Sequence, residues 1–504
     1  MKGVRNLFGR FLSILSAKVL TTIVAVLSTP IIVRLLGPGG YGDYAVLLSI
    51  FSLYMIPVSG GITEGVQKFV AETRDRADWR EQVVRFYATL AVLVGVVAVA
   101  VLLSFTGLGG ASWLFGAEFT TYFYLLAGFV LVAQCRALVI HTVLGFGLEH
   151  ITGPLKVAKK FVTVALGIGL LVVGLGVQGM LVGHIAANLL VAVVGGAVVL
   201  RRLSLSSMLG RPASFPYREL LSFNGLNIVL VLLVMSLYHV DVVMLRALVG
   251  SESTGFYKAA LALAEYLWIV PIVLQTVLLH SASALWSDDR TDRLTRLSSR
   301  ITRYTVLIVV VMAIGLGTLA DRFVPLYYGP EFLVATTPLL LLLPGAVGFA
   351  VARPLQAICQ ASGRMEVLIR AVGAAAALNL ALNAVLIPAF GMAGAAVATS
   401  IGYGSMFVLM VRAARKLGYD PLDDFRLGRI AVTAGVAAPV VLLVDRSIQS
   451  DILALVVVPP VGAAVYGAVA VATGAVDWSE IVAILRKVPG PVGTAIESGL
   501  SWVQ

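Results

Sequence analysis

The chain has 504 residues, of which 59% are hydrophobic and only 12% are charged, and its mean hydropathy is +0.97. Soluble domains carry about 25% charged residues. The composition therefore excludes a soluble enzyme or a nucleic-acid-binding domain as the body of the protein. We attribute the formal net charge of +11 to membrane topology rather than to a nucleic-acid partner.

Apolar stretches long enough to cross a bilayer recur along the chain. A hydrocarbon core needs roughly 20 helical residues, and stretches such as 83–105 are apolar on every side, whereas barrel strands would alternate. The sequence predicts an all-α polytopic membrane protein with about fourteen transmembrane helices. The predicted spans are 8–33, 42–71, 83–105, 120–147, 154–175, 179–201, 217–245, 254–285, 299–320, 335–359, 365–388, 391–415, 427–444 and 452–473.

Basic residues give the predicted orientation. Most of the 37 Lys and Arg residues fall in or beside alternate connections such as 74–85 and 290–303, which the positive-inside rule assigns to the cytoplasm. The exceptions are Arg34, Arg246, Arg322 and Arg446 on the other side, and Arg136, Lys258 and Arg353 within spans. The first apolar run has no small-residue cleavage pattern and is too long for a signal peptide. We expect a multi-pass protein of the cytoplasmic membrane with both termini inside.

The sequence contains an internal repeat. The segment Arg34–Tyr44 after the first span is echoed by Arg246–Tyr257 after the seventh. Further matches about 214 residues apart, in the same order, are Pro57 with Pro271, Gly147 with Gly363, and Leu175–Gly179 with Phe390–Gly394. Each half holds an even number of spans, so the halves run parallel. We predict one six-helix half over 1–210, a second over 211–425 around a central cavity, and two additional helices with a cytoplasmic tail over 426–504.

The segment Arg34–Ala45, which reads RLLGPGGYGDYA after a first apolar helix, resembles the signature of polysaccharide biosynthesis flippases. These belong to the multidrug/oligosaccharidyl-lipid/polysaccharide exporter superfamily. The resemblance implies a transporter rather than an enzyme, which moves an oligosaccharide on a polyprenyl or dolichyl phosphate from the cytoplasmic to the outer leaflet. Related lipid II flippases also have two extra helices, whereas multidrug and toxin extrusion transporters usually have twelve, which favours a flippase.

The sequence leaves room for other function classes and sources of energy. No G-x-x-x-x-G-K-[ST] phosphate loop occurs, so an ATP-driven pump is not expected and no cofactor is expected. The energy for transport is expected to come from an H+ or Na+ gradient, from substrate consumption outside, or from a partner such as glycan polymerase or glycosyltransferase machinery. A polytopic glycosyltransferase would need acidic residues beside a large external loop. An ion-coupled multidrug or organic cation antiporter of the same fold is the main alternative, and a non-transporting scaffold stays open.

Two intramembrane arginines are the leading candidates for a substrate-phosphate site. Arg136 and Arg353 occupy matching places in the repeat, and a charge at the membrane centre needs a cavity or a partner. Guanidinium groups bind phosphate oxygens bidentately. Each arginine could instead hold a neighbouring helix through backbone carbonyls. Lys18, near the cytoplasmic face, is predicted to help capture the phosphate, or else to extend its amine to the interface.

Charged residues on three other helices are candidates for ion coupling or gating. Lys258 and Glu265 are seven residues apart and share a helix face, where a buried carboxylate can take up a proton or sodium ion or simply form a salt bridge. Glu64 either acts directly or pairs with Lys68. Asp241, beside His239, is expected to pair with Arg34 or Arg246 and close an external gate, or to form an interfacial pair without that duty.

Helix-breaking residues are the predicted hinges. Pro57 with Gly60 and Gly61, and Pro271 on the matching helix, remove backbone hydrogen bonds and permit bending. Bending would serve alternating access, in which one half rocks against the other. The remaining intramembrane polar residues and cysteines are expected to pack or to form interhelical hydrogen bonds; they are Asn379, Asn383, Cys135 and Cys359.

Overall fold

A computed structural model describes most of the chain. Its backbone ranges are 2–74, 78–204, 215–223, 225–288 and 290–485, with side chains from Val19 onward except those of His280, Ile481 and 483–485. Every regular element in these ranges is a helix. The predicted all-α polytopic fold class is thereby confirmed.

The helices follow one another with short connections. In chain order they are α1 (Lys2–Ala71), α2 (Trp79–Gly107), α3 (Gly110–Phe115), α4 (Glu118–Gly145), α5 (Glu149–Val172), α6 (Gly176–Leu200), α7 (Tyr217–Ser222), α8 (Gly225–Leu248), α9 (Ser251–Glu265), α10 (Ile269–Ser287), α11 (Thr291–Thr318), α12 (Ala320–Tyr328), α13 (Thr336–Ala361), α14 (Met365–Lys416), α15 (Leu427–Ser447), α16 (Asp451–Ala472) and α17 (Trp478–Leu485). Short 3₁₀ turns at Tyr266–Trp268 and Pro330–Ala335 precede α10 and α13.

The described helices are consistent with about fourteen crossings. Within the described residues, 11 helical segments are long and apolar enough to span a membrane. Two of these, Val19–Ala71 and Met365–Lys416, have 53 and 52 residues and are interrupted by non-helical Gly37 and Gly391, so each supplies two crossings. Helix α5 is not among the 11, but its 24 residues extend about 36 Å and are long enough for one more crossing.

The connection between the predicted spans 8–33 and 42–71 is shorter than expected. The helix resumes immediately after Gly37, whose φ of 64° and ψ of 176° interrupt it. Glycine tolerates this conformation without steric cost. Pro38 then stands in the first turn of the resumed helix, where its missing N–H would be unpaired anyway. A single residue therefore separates the first two crossings.

The chain forms two compact units. The first contains Met1–Ala262, Tyr327–Pro338 and Met365–Gly402, and the second contains Leu263–Leu326, Leu339–Arg364 and Tyr403–Gln504. In the first unit α1 packs against α2, α4, α5, α6 and α8, and in the second α15 and α16 pack against each other and against α11. The boundaries 1–210, 211–425 and 426–504 describe sequence repeats and stay a prediction.

Backbone conformation supports the internal repeat. Gly147 and Gly363, which match in sequence, have φ angles of 73° and 72° directly after their helices. Gly176 and Gly391 also match, with φ angles of 50° and 58°. Left-handed conformation at equivalent glycines is expected of helix ends that descend from one duplicated unit.

The matching glycines of the duplicated motif meet in the first unit. A Cβ at Gly42 would overlap the Ser251 carbonyl oxygen, and a Cβ at Gly255 would overlap the Pro38 carbonyl oxygen. The second segment of α1 and the start of α9 therefore touch through their backbones. Small residues permit this close approach between membrane helices.

Replacing either glycine by alanine should destabilise the protein. We expect Gly42→Ala and Gly255→Ala each to cost about 1–3 kcal/mol, because the new methyl group displaces backbone, and to lower the thermal unfolding midpoint in detergent. Gly169→Ala is the control, since nothing lies within 4 Å of a Cβ at that helical position. Equal midpoints for all three variants would contradict the close contact.

Candidate functional site

A group of cations lies inside the first unit. Arg136 is nine residues from the C-terminal end of α4, about 14 Å along the axis, and Lys159 is ten residues from the start of α5, about 15 Å. The turn 146–148 joins these two ends, so the cations occupy similar depths. Arg136 and Lys159 repel each other, and Lys159 also repels Lys160.

These cations have no acidic partners in the described part of the first unit. No ion pair there involves Arg136, Lys156, Lys159 or Lys160, and the Arg136 Nε is buried without a hydrogen-bond acceptor among the described atoms. His184, on the neighbouring helix α6, adds to this positive charge only when its ring is protonated. Arg136, Lys159 and Lys160 are half-buried and Lys156 is exposed. Half-buried charges on apolar helices are costly unless an anion accompanies them. We name Arg136, Lys156, Lys159 and Lys160 the cationic group.

Sequence reasoning found only one member of the cationic group. Lys156, Lys159 and Lys160 counted among the basic residues of the predicted cytoplasmic side. The signal that could have found them is the K-x-x-K-K pattern inside an apolar helix. It is weak, because interfacial lysines produce the same pattern.

Arg353 lies in the second unit with partners of its own. Its Nη1 donates to Gln275 Oε1 at 3.3 Å, and its guanidinium lies 5.0 Å from the Phe349 ring and 5.5 Å from the Trp268 ring. Aromatic faces stabilise a half-buried guanidinium by about 0.5–2 kcal/mol. These three contacts are made by side chains, and none of them involves a backbone carbonyl. Its role as a phosphate ligand stays a prediction.

Asp241 is the most completely buried carboxylate of the first unit's predicted site residues, with no exposed surface. It accepts hydrogen bonds from the Tyr257 hydroxyl, from Thr399 Oγ1 at 2.9 Å and from the Val242 amide at 2.8 Å. Asn379 Nδ2 lies 3.4 Å from the same Thr399 oxygen. This polar cluster joins α8, α9 and α14.

The expected pairing of Asp241 with Arg246 is wrong. Arg246 instead donates from Nε to Asp43 Oδ1 at 2.6 Å and from Nη2 to the Phe115 carbonyl at 2.7 Å. Five residues separate Asp241 from Arg246, which places them about 140° apart around α8. The two side chains therefore face different neighbours. Arg34 is exposed. Gating by Asp241, Arg34 or Arg246 stays a prediction.

The tyrosines of the duplicated motif have equivalent partners. The Tyr44 hydroxyl hydrogen-bonds to His184 Nε2 at 2.8 Å, and the Tyr257 hydroxyl lies 3.1 Å from Thr399 Oγ1. The pairs are related by the repeat spacing of about 214 residues. Only the second pair has a carboxylate beside it, so duplication has produced two different polar clusters.

Glu64 lines a polar pocket between α1 and α8. Asn227 Nδ2 donates to both carboxylate oxygens, at 3.1 and 3.0 Å, in a pocket of about 220 Å³. The expected pairing of Glu64 with Lys68 is wrong, because the Lys68 amine lies 3.9 Å from Glu72 one turn further on. Ion coupling by Glu64 is untested.

The other predicted residues are placed as follows. Lys258 is half-buried on α9 and interacts electrostatically with Asp241, while Glu265 is the last residue of α9. Lys18 lies in α1, but its side chain is outside the described residues. Within the described residues, no three His, Cys, Asp or Glu side chains form a group that could hold a metal ion.

The predicted hinges differ in local structure. Pro271 lies just after the 3₁₀ turn Tyr266–Trp268, whereas α1 continues through Pro57. A Cβ at Gly60 or Gly61 would lie 3.4 or 3.3 Å from the Ile228 side chain, so these glycines let α8 approach closely. Hinge bending itself stays a prediction.

Ion pairs at both ends hold the two additional helices within the second unit. The fully buried Arg303 of α11 pairs with Asp424 at 2.9 Å and with Glu480 of α17 at 2.5 Å. At the opposite end Arg322 pairs with Asp445 at 3.0 Å and Asp451 at 2.9 Å. These pairs were not foreseen, because pairing across more than a hundred residues leaves no local sequence pattern.

A third arginine, Arg426, supports the same end of the second unit as Arg303. Arg426 donates to Asp477 through two bonds of 2.9 and 2.8 Å, and this guanidinium holds the pKa of the exposed Asp477 carboxyl below its ordinary value.

Between the two ends, α11, α15 and α16 enclose an apolar pocket of about 450 Å³.

The fold and the buried charges define a multi-pass helical membrane protein of the transporter class. The family described as polysaccharide biosynthesis protein matches residues 31–337, and the chain belongs to this family, within the exporter superfamily expected from the motif Arg34–Ala45. The family described as lipid II flippase MurJ matches residues 255–459.

Individual proteins show the same relationship. The chain is 21% identical over 380 residues to the probable low-salt glycan biosynthesis flippase Agl15 of Haloferax volcanii, covering 75% of this chain and 76% of that protein. The structure of lipid II flippase MurJ in an inward closed conformation is similar with a TM-score of 0.73 at 13% identity, over 90% of this chain and 97% of that one.

A drug transporter structure also shares the fold. An inward-facing multidrug resistance MATE family transporter of the MOP superfamily matches with a TM-score of 0.65 at 13% identity, over 79% of this chain and 94% of that one. At these identities the similarity concerns the fold and does not distinguish the cargo.

The pair between Asp43 and Arg246 should contribute to stability. In a double-mutant cycle of Asp43→Asn and Arg246→Gln we expect a coupling of about 1–3 kcal/mol, because both side chains are largely buried. The exposed pair Glu366 and Arg370, 3.7 Å apart, is the matched control and should give at most about 0.5 kcal/mol. Calorimetric unfolding measures both cycles, and equal couplings would contradict the assignment.

Proposed function

We propose that the chain is a flippase that moves a lipid-linked oligosaccharide from the cytoplasmic to the outer leaflet of the cytoplasmic membrane. The oligosaccharide is carried on a polyprenyl or dolichyl phosphate and serves polysaccharide or glycan assembly. Membership in the polysaccharide biosynthesis family and the similarity to a probable glycan flippase support this cargo. Transport proceeds by alternating access, without a catalytic step, with both termini in the cytoplasm.

The cationic group is the observation that carries the proposal. Arg136 and Lys159 lie at one depth of the first unit with no described carboxylate to neutralise them. A phosphate supplies both the missing charge and the acceptors that a guanidinium and an ammonium require. The headgroup therefore binds on α4 and α5, and the glycan follows it while the lipid tail stays in the bilayer.

An ion-coupled antiporter of organic cations is the second candidate, favoured by the fold of the multidrug transporter. The first unit does contain buried carboxylates, such as Asp241. The cationic group argues against this cargo, because like charges in a medium of low dielectric constant repel strongly. A flippase accounts for both features, since it uses the cations for the substrate and a carboxylate for coupling.

Asp241 is the proposed site of ion coupling. A carboxylate without solvent contact is costly as an anion, and Asp241 has no exposed surface, so binding of a proton or a cation is favoured there. The hydroxyls of Tyr257 and Thr399 and the nearby Asn379 supply further polar atoms. Binding or loss of H+ or Na+ changes the charge in a cluster that joins three helices, and so biases one arrangement of these helices.

Neutralising the cationic group should slow transport. We expect Arg136→Gln and Lys159→Gln each to reduce transfer of a fluorescent polyprenyl-diphosphate oligosaccharide in proteoliposomes by roughly tenfold or more, the contribution of one charge-assisted hydrogen bond. Arg370→Gln, which removes an exposed charge, is the control. No transfer by folded wild-type protein, together with uptake of an organic cation, would overturn the proposal.

Removing the coupling charge should disconnect transport from the gradient. We expect an imposed H+ or Na+ gradient to stimulate transfer by wild-type protein and not by Asp241→Asn, because the amide binds neither ion as a carboxylate does. Asp321→Asn, at an exposed position, should keep the stimulation. Undiminished stimulation of Asp241→Asn would exclude Asp241 as the coupling site.

A further inference from the structure

The pocket around Glu64 has five polar residues among its ten lining residues, although it lies between two apolar helices. Its lining comes from seven residues of α1 and three of α8, all within the first unit. We name it the acceptor pocket; its polar members are Ser52, Ser59, Thr63, Glu64 and Asn227. A lipid tail has no use for these groups, so the pocket points to a polar ligand.

The hydroxyl groups of the acceptor pocket have already used their protons. Ser52, Ser59 and Thr63 donate to backbone carbonyls one turn earlier in α1, at 2.7, 2.8 and 3.0 Å. Their remaining lone pairs can only accept. The Glu64 carboxylate also accepts, and the Asn227 amide nitrogen is directed at it. The pocket therefore presents mainly acceptors.

A ligand that suits this pocket is rich in donors and carries no negative charge. Phosphate is excluded, because it has acceptors only and is repelled by Glu64. A bare ion is too small for a volume of about 220 Å³. Sugar hydroxyls and acetamido N–H groups match the acceptors, and the apolar Ile56, Ile228 and Val231 match the C–H face of a sugar ring.

We propose that the acceptor pocket binds a sugar residue of the carried glycan. This inference rests on the proposed flippase function and adds a specificity site separate from the phosphate site. Glu64 then selects the glycan instead of coupling transport to an ion. Glu64 is seven residues from the C-terminal end of α1, about 10 Å, and so lies at a depth close to that of Arg136 in α4.

The test compares two fluorescent lipids that differ only in the sugar. Proteoliposomes receive either a polyprenyl diphosphate with an attached oligosaccharide or the bare polyprenyl diphosphate. Thr63→Val and Glu64→Gln should each lower the ratio of glycosylated to bare transfer by about tenfold, the effect of losing one hydrogen bond to the sugar. Thr106→Val is the matched control, because Thr106 bonds its own helix in the same way outside the pocket.

A second measurement is independent of transport. Saturation-transfer NMR of methyl glycosides with purified protein in detergent should show contact with wild type and with Thr106→Val, and less contact with Thr63→Val. If wild type binds glycosides but moves neither lipid, the flippase function fails and the pocket stands. An unchanged transfer ratio with unchanged glycoside contact overturns the pocket, as does binding of an organic cation that Glu64→Gln abolishes without any glycoside contact.

Discussion

A positive charge that is withdrawn from bulk water needs an anion, bound water or an aromatic face, and the arginines of this chain satisfy that constraint in different ways. Arg246 pairs with Asp43, Arg303 lies between two carboxylates, and Arg353 lies against aromatic rings. These three are supported by the protein itself. The Nε of Arg136 has no such support among the described residues. This difference is the reason that Arg136, rather than one of the other three, is proposed to bind a substrate phosphate.

Gene duplication explains why related positions carry different chemistry. Tyr44 and Tyr257 come from the same place in the repeat, and their hydroxyls contact partners at equivalent positions, His184 and Thr399. Only Tyr257 also bonds a buried carboxylate, Asp241. The backbone contact of Gly42 with the start of α9 shows the opposite outcome, in which both copies keep the glycine because each faces the other's backbone. One copy has thus specialised for ion coupling in our account, while the shared packing is retained.

Much of the fold follows from the sequence because hydropathy and charge bias are local properties. They predicted the all-α class, the approximate number of spans and the presence of Arg136 inside a helix, while matching motifs about 214 residues apart indicated the repeat. Contacts between distant helices were harder. The pairing of Asp241 with Arg246 was expected from proximity in sequence, but helix geometry turns them apart. The place of Lys159 in the cationic group was not predicted, because an interfacial lysine and a substrate-binding lysine look alike in one sequence. The pairs of Arg303 depend on folding that no short pattern encodes.

The most direct test of a phosphate-binding cationic site is to identify what the purified protein retains. Native mass spectrometry of the full chain, released from mild detergent after incubation with polyprenyl-diphosphate oligosaccharide and an equal amount of tetraphenylphosphonium, measures both candidates together. Our account predicts one bound lipid-linked oligosaccharide that excess inorganic diphosphate displaces. Retention of the organic cation alone, with no phosphate-bearing lipid, would contradict it.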